Sequence, residues 1–219
     1  MPKMKETKKY YFSVEGETEK WYLDWLQDKI NAEQKSKYKV SIDSKVQKSP
    51  LKRAKSLNIL SPVHITHVFD YESDDEVHTK QFKETLDLLK ETSKLGKQIK
   101  YSLGYSNFTF ELWIVLHKTI CNATFAHRRQ YLEPINRAYC ENFENLDQYK
   151  HEGNFKRVLG KISLSEVNMA IERSKAIMQR NKENEFILHK YKGYQYYREN
   201  PSLSIWESIE KVLKDCELV

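Results

Sequence analysis

Two acidic positions stand out by where they fall. Glu15 ends the run Tyr10-Tyr11-Phe12-Ser13-Val14, and Asp70 ends His64-Ile65-Thr66-His67-Val68-Phe69. Both runs are aromatic and β-branched, the composition of buried strands, so both carboxylates belong at strand tips. A carboxylate in such a place is costly to ionise without compensation, and two converging on one cleft repel each other. A hard divalent cation removes both penalties. Mg²⁺ takes oxygen ligands and is commonly held by one or two carboxylates with water and substrate phosphate, a demand that Asp70 with Glu72 meets. Positions 70 and 72 lie on the same side of an extended chain. The metal ligands expected are therefore Glu15, Asp70 and Glu72, with Mg²⁺ as the cation and Mn²⁺ as its substitute.

The acidic run continues through Asp74, Asp75 and Glu76, where Asp75 reads as the N-cap of a following helix. Farther on, Glu111 sits inside Phe108-Thr109-Phe110-Glu111-Leu112-Trp113-Ile114-Val115-Leu116-His117. An acid in so apolar a helix either faces solvent on a narrow stripe or has a specific buried partner. Ser106 or Asn107 is expected to cap that helix, and His117 to be an ordinary residue near its C-terminal end.

Other chemistries fail on spacing. Gly16 stands alone, so no glycine-rich phosphate loop of either common pattern is present, and no G-x-S-x-G occurs. His64 and His67 face opposite sides of a strand and are not a zinc pair. Cys121, Cys140 and Cys216 contain no C-x-x-C pairing and form no disulfide framework.

The elements that must position these residues follow from periodicity. After the first strand, Trp21, Tyr22, Trp25, Leu26 and Ile30 recur at helical spacing and are expected to pack on a sheet. Tyr38 to Ile42 reads as a second strand, Ser49-Pro50 as a helix start, and His64 to Phe69 as a third strand. Phe82, Leu86 and Leu89 mark an amphipathic helix closed by Gly96, and Ile99 to Leu103 a fourth strand. Strands alternating with helices imply an α/β Rossmannoid core with a mainly parallel sheet, whose ligand site lies beyond the carboxyl ends of the strands. Almost everything after Phe108 reads as helix, so the expected division is a catalytic core over residues 1–120 and a helical extension packed on it over 121–219.

The 219 residues suffice for a sizeable core, and 39% hydrophobic with 31% charged residues is the composition of a folded protein. No window approaches the ~20 apolar residues that span a bilayer, and no signal-type run follows the charged N-terminus, so a cytoplasmic protein without membrane contact is expected. The cysteine usage suits a reducing compartment. The net charge of +6 mildly favours a polyanionic partner. Lys48, Lys52, Arg53 and Lys55 cluster in one stretch, and Lys97 and Lys100 in another; these are the expected nucleic-acid contacts, although a solvated helix face explains such runs at least as often.

Three segments together resemble the RloB family of bacterial phage-resistance proteins: Val14-Glu15-Gly16-Glu17-Thr18-Glu19, Val68-Phe69-Asp70-Tyr71-Glu72, and Ser106 through His117. Ala170-Ile171-Glu172-Arg173-Ser174-Lys175 and the expected helix start Asn200-Pro201-Ser202 extend the likeness over nearly the whole chain. The resemblance implies a Toprim-type core in which a glutamate after the first strand and an Asp-x-Asp after a later one bind Mg²⁺ for phosphodiester chemistry. Glu72 stands where the family usually has a second aspartate, and Phe108-Thr109 where it has Cys-Phe or Pro-Cys.

The function this implies is a metal-dependent nuclease acting on RNA, tRNA included, or on DNA, as the effector of an antiphage or abortive-infection system. Its catalytic residues would be Glu15, Asp70, Glu72 and Glu111, with Glu15 as general base or second-metal ligand. An ABC- or AAA-type ATPase and a second copy of the chain are the further partners implied. The rival is a non-catalytic Toprim-like adaptor that binds nucleic acid or the ATPase. A sugar-nucleotide transferase would leave Glu15 and the Ser106 to His117 segment without a role.

Overall fold

The computed structural model describes residues 5–59 and 61–219. Four strands alternate with helices through the first half: β1 (Thr7–Val14), α1 (Glu17–Ala32), β2 (Lys39–Val46), α2 (Pro50–Ser56), β3 (Val63–Tyr71), α3 (Glu76–Glu91) and β4 (Ile99–Asn107). Then come α4 (Glu111–Lys118), α5 (Leu132–Tyr139), α6 (Leu146–Lys150), α7 (Glu152–Gly160) and α8 (Leu164–Glu183). The chain closes with a hairpin of β5 (His189–Tyr191) and β6 (Tyr194–Tyr196), a short β7 (Ser202–Leu203) and α9 (Ile205–Asp215).

The main sheet runs β2-β1-β3-β4-β7. β1 to β4 are mutually parallel, as the alternation of patterns requires, and β7 adds antiparallel to β4. Local signals behave as their chemistry dictates. The Ser49 hydroxyl accepts from the Lys52 N–H with Pro50 as the first helical residue, and the Asp75 carboxylate accepts from the His78 N–H at the start of α3.

Alternation along the strands sends side chains to two apolar layers. Phe12, Val14 and Val68 join Tyr22, Leu26, Trp113, Ile171 and Ile209 on one face. Ile65, Phe69 and Tyr71 join Phe82, Leu86 and Tyr105 on the other. The first layer extends from β1 through α4, α5 and α7 to α9, so apolar packing is continuous across residue 120. Trp21 and Trp25 pack against this layer while Tyr22, Leu26 and Ile30 are fully within it.

Three expectations need correction. The second half is not wholly helical: residues 202–203 pair with Ser106 and Asn107, and that pairing keeps 106–107 in the sheet instead of releasing them as a helix cap. In consequence α4 begins only at Glu111, preceded by Phe110 without a side-chain cap. The final helix begins at Ile205, because Ser202 and Leu203 are strand. Among the described residues no helix is long and apolar enough to cross a membrane.

Lys97 is part of this framework. Its ammonium donates to the carbonyls of Ala54 at 3.0 Å, Lys55 at 2.9 Å and Leu57 at 2.7 Å, satisfying groups that the end of α2 leaves open. Lys97→Met is expected to lower unfolding stability by about 1–2 kcal/mol, read as a fall in the urea midpoint, while Lys52→Ala leaves the midpoint unchanged. Equal midpoints for Lys97→Met and the parent would mean that the cap is dispensable.

Candidate functional site

The strand register assembles the acidic cluster. Val14 pairs with Val68 and Asp70 pairs with Ser106, so the ends of β1, β3 and β4 lie side by side. Glu15, one residue past β1, accepts the Asp70 N–H at 3.2 Å through Oε2. Gly16 then turns directly into α1, and a Cβ there would stand 3.0 Å from Glu19 Oε2. The missing side chain lets the Glu19 carboxylate fold back against the loop, where Thr18 donates its hydroxyl at 3.1 Å. Glu19 is only 6% exposed.

The fourth carboxylate comes from α4. Glu111 is fully buried and accepts the Thr109 hydroxyl through Oε2. Its Oε1 lies 3.1 Å from the Lys150 ammonium, which α6 delivers from the second half of the chain. Of the two readings of Glu111, the buried partner is the one realised.

Burial and mutual repulsion set the protonation of this group. Burial first, then the charges of Glu19, Glu15 and Glu111, hold the Asp70 carboxyl well above the usual carboxylate range. Burial and the Glu111 charge push Glu19 up to about 7. Glu15 is raised by burial, against which the Asp70 N–H and Lys48 act to lower it. Burial alone would lower the Lys150 ammonium, but Glu111, Asp70 and Glu19 outweigh it and raise it.

Glu15, Glu19 and Asp70 open into a cleft of about 260 Å³, with Lys48, Arg128 and Lys150 on its walls. Glu72 stands at the rim and not among the buried carboxylates. It is 41% exposed, with Oε1 3.3 Å from Arg128 Nη1 and Oε2 3.5 Å from His78 Nε2.

The donor set suits a hard cation. It offers carboxylate oxygens and is flanked by buried polar atoms without hydrogen-bond partners: Ser106 Oγ, Asn107 Oδ1 and the Tyr149 hydroxyl. The ligand set is not closed, however: among the described residues no three His, Cys, Asp or Glu side chains are grouped to hold a metal ion.

The expected nucleic-acid contacts do not come together. Lys48 alone among them reaches the cleft. Lys52 and Lys55 are exposed on α2, and Lys100 is exposed beside His64 at the far end of the sheet. Arg53 is 5% exposed with its guanidinium 2.6 Å from Asp43 Oδ1, and Lys97 caps α2; neither cation is available to a phosphate. His117 is buried between the Tyr22 hydroxyl at 3.1 Å and the Trp113 carbonyl at 2.9 Å, and burial pushes it down to about 4. It is a neutral packing residue.

Glu19, Lys150 and Arg128 were not foreseen. Glu19 had a signal: with Tyr22, Leu23, Leu26 and Ile30 it occupies the buried stripe of α1, where an acid has no place unless it is used. Lys150 and Arg128 had none, because only the tertiary fold brings them to the strand ends.

The family model described as RloB-like protein matches residues 10–212. The chain belongs to the RloB-like family. No curated protein and no solved structure matches it. Glu15, Glu19, Asp70, Glu111 and Lys150 all lie inside the RloB-like span.

A carboxylate kept for function should cost stability. The Glu19 carboxyl titrates near 7 when folded against an ordinary value of 4.5, so the folded chain keeps a proton that the unfolded chain loses between those pH values. Stability from this group is present at low pH and is lost as pH rises through 7. In metal-free buffer Glu19→Gln should therefore raise Tm by about 3 °C or more at pH 8 and by much less at pH 4.5. A lower Tm at pH 8 would show that the carboxylate is structural.

Proposed function

We propose that this RloB-like protein is a metal-dependent nuclease that hydrolyses phosphodiester bonds at the cleft of Glu15, Glu19 and Asp70, with Glu111 buried behind it, on a core of Toprim type. The observation that carries the reading is the concentration of four carboxylates at one end of the parallel sheet, close enough that their mutual repulsion holds the Asp70 carboxyl well above its ordinary range despite Lys150 beside it.

Glu15 and Asp70 would hold Mg²⁺ or Mn²⁺, with water and substrate phosphate completing the set. The cation, when bound, supplies neutralisation of the scissile phosphate and a more acidic water. Glu19, titrating near 7, is suited to take the proton from the attacking water at neutral pH. This moves the base from Glu15, the sequence expectation, to its neighbour one turn on. Lys150 stays protonated and faces the same cleft, where its ammonium stabilises negative charge developing on the phosphate or leaving oxygen. Lys48 and Arg128 at the walls give phosphate contacts that carry no sequence information. A role in antiphage defence, worked with an ABC- or AAA-type ATPase, is proposed on the family alone.

The adaptor reading retains one specific support, the rim position of Glu72 and the open ligand set. Incubating the full chain with tRNA, other RNA and plasmid DNA in Mg²⁺ or Mn²⁺ separates the two. Cleavage is expected, lowered about 100-fold or more by Asp70→Asn and by Glu15→Gln and abolished by chelation. Cleavage that survives both substitutions, or none with any substrate and metal, would leave the adaptor.

A further inference from the structure

Arg128 occupies a junction. It borders the carboxylate cleft and also a second cavity of about 410 Å³ walled by Arg129, Lys150, Leu132 and Leu146, with the acids Glu144 and Asp147 also on its wall. Arg129 makes no ion pair among the described residues, and Arg128 makes one, with Glu72. That pair is half-exposed, with side chains 45% and 41% accessible, and exposed pairs of this kind are worth little. A phosphodiester offers an arginine two oxygens in a geometry that its planar guanidinium matches, a stronger partner than one oxygen of a solvated glutamate at 3.3 Å.

Glu72 already lines the cleft, one residue past β3 and on the same side of the chain as Asp70. Its charge repels that of Glu15, so it turns inward only as a cation arrives to offset the repulsion. What holds its two oxygens at the rim is Arg128 on one side and His78 on the other. His78 is itself engaged by Asp75, at 2.6 Å.

We propose that Arg128 is a phosphate-binding residue whose occupation by a nucleic-acid backbone frees Glu72 to complete the cation site with Asp70. The second cavity then receives the neighbouring nucleotide, with Arg128, Arg129 and Lys150 on the phosphate and Leu132 and Leu146 against the base. The open ligand set is the resting state of a site that closes on substrate. Backbone and cation bind with positive coupling, each raising the affinity of the other by the same factor. This rests on the metal-dependent reading above.

Mn²⁺ titration of the full chain without nucleic acid, followed by electron paramagnetic resonance of free Mn²⁺, tests the latch. Arg128→Gln should bind Mn²⁺ about fivefold or more tightly than the parent, because Glu72 is no longer held away. Removing a nearby positive charge also tightens Mn²⁺, so the decisive comparison is Arg128→Gln in a Glu72→Gln background, where most of the gain should vanish. Equal gains in both backgrounds would overturn the latch and leave the cation site standing. Absence of Mn²⁺ binding in every form would instead overturn the metal-dependent reading. Fluorescence anisotropy in chelator, with oligouridylate and oligothymidylate of equal length, gives the other half. Arg128→Gln and Arg129→Gln should each weaken binding several-fold, and the tighter of the two polymers identifies RNA or DNA; unchanged affinity for both would remove the phosphate site.

Discussion

Repulsion among carboxylates at one end of a parallel sheet is the constraint around which this molecule is built. Glu15, Glu19 and Asp70 are each raised by burial and by a neighbouring carboxylate's charge. A chain selected for stability alone would not keep this arrangement. Lys150 relieves part of it, and the rest appears as carboxyls held protonated above their ordinary range. The same imbalance favours positive charge at the site and raises the Lys150 ammonium already there.

The fold is the device that enforces the proximity. Parallel register brings the ends of β1, β3 and β4 together, so that no loop needs to be long or ordered by ligand to bring Glu15 to Asp70. Gly16 permits α1 to start at once and to lay Glu19 over the same spot. β7 returns from the far end of the sequence to pair with Ser106 and Asn107, which fixes where α4 begins and hence where Glu111 points. The helical half contributes more than cover, because Lys150 and Arg128 reach the cleft from it.

Much of this was legible in the residues. Alternation and helical spacing located β1 to β4 with α1 to α3, and the strand-tip logic found Glu15 and Asp70. Glu111 was legible as an anomaly, a charge where only apolar side chains belong. The failures share one cause, long-range pairing. Residues 202–203 carry no local sign that they will extend a sheet begun two hundred residues earlier. Lys97 and Arg53 look like surface cations in a basic run and are instead held by carbonyls and by Asp43. Glu72 was placed correctly along the chain but not in orientation, because Arg128, which turns it outward, arrives from more than fifty residues away.

The claim on which the account turns is that these carboxylates form a site for a hard divalent cation. Anomalous scattering from crystals of the protein soaked in Mn²⁺ tests it without reference to any substrate. The account predicts a single strong peak within coordination distance of Asp70 and Glu15 or Glu111, lost in Asp70→Asn. Crystals that bind Mn²⁺ only elsewhere, or an undisturbed Glu111–Lys150 pair with no peak beside it, would contradict it.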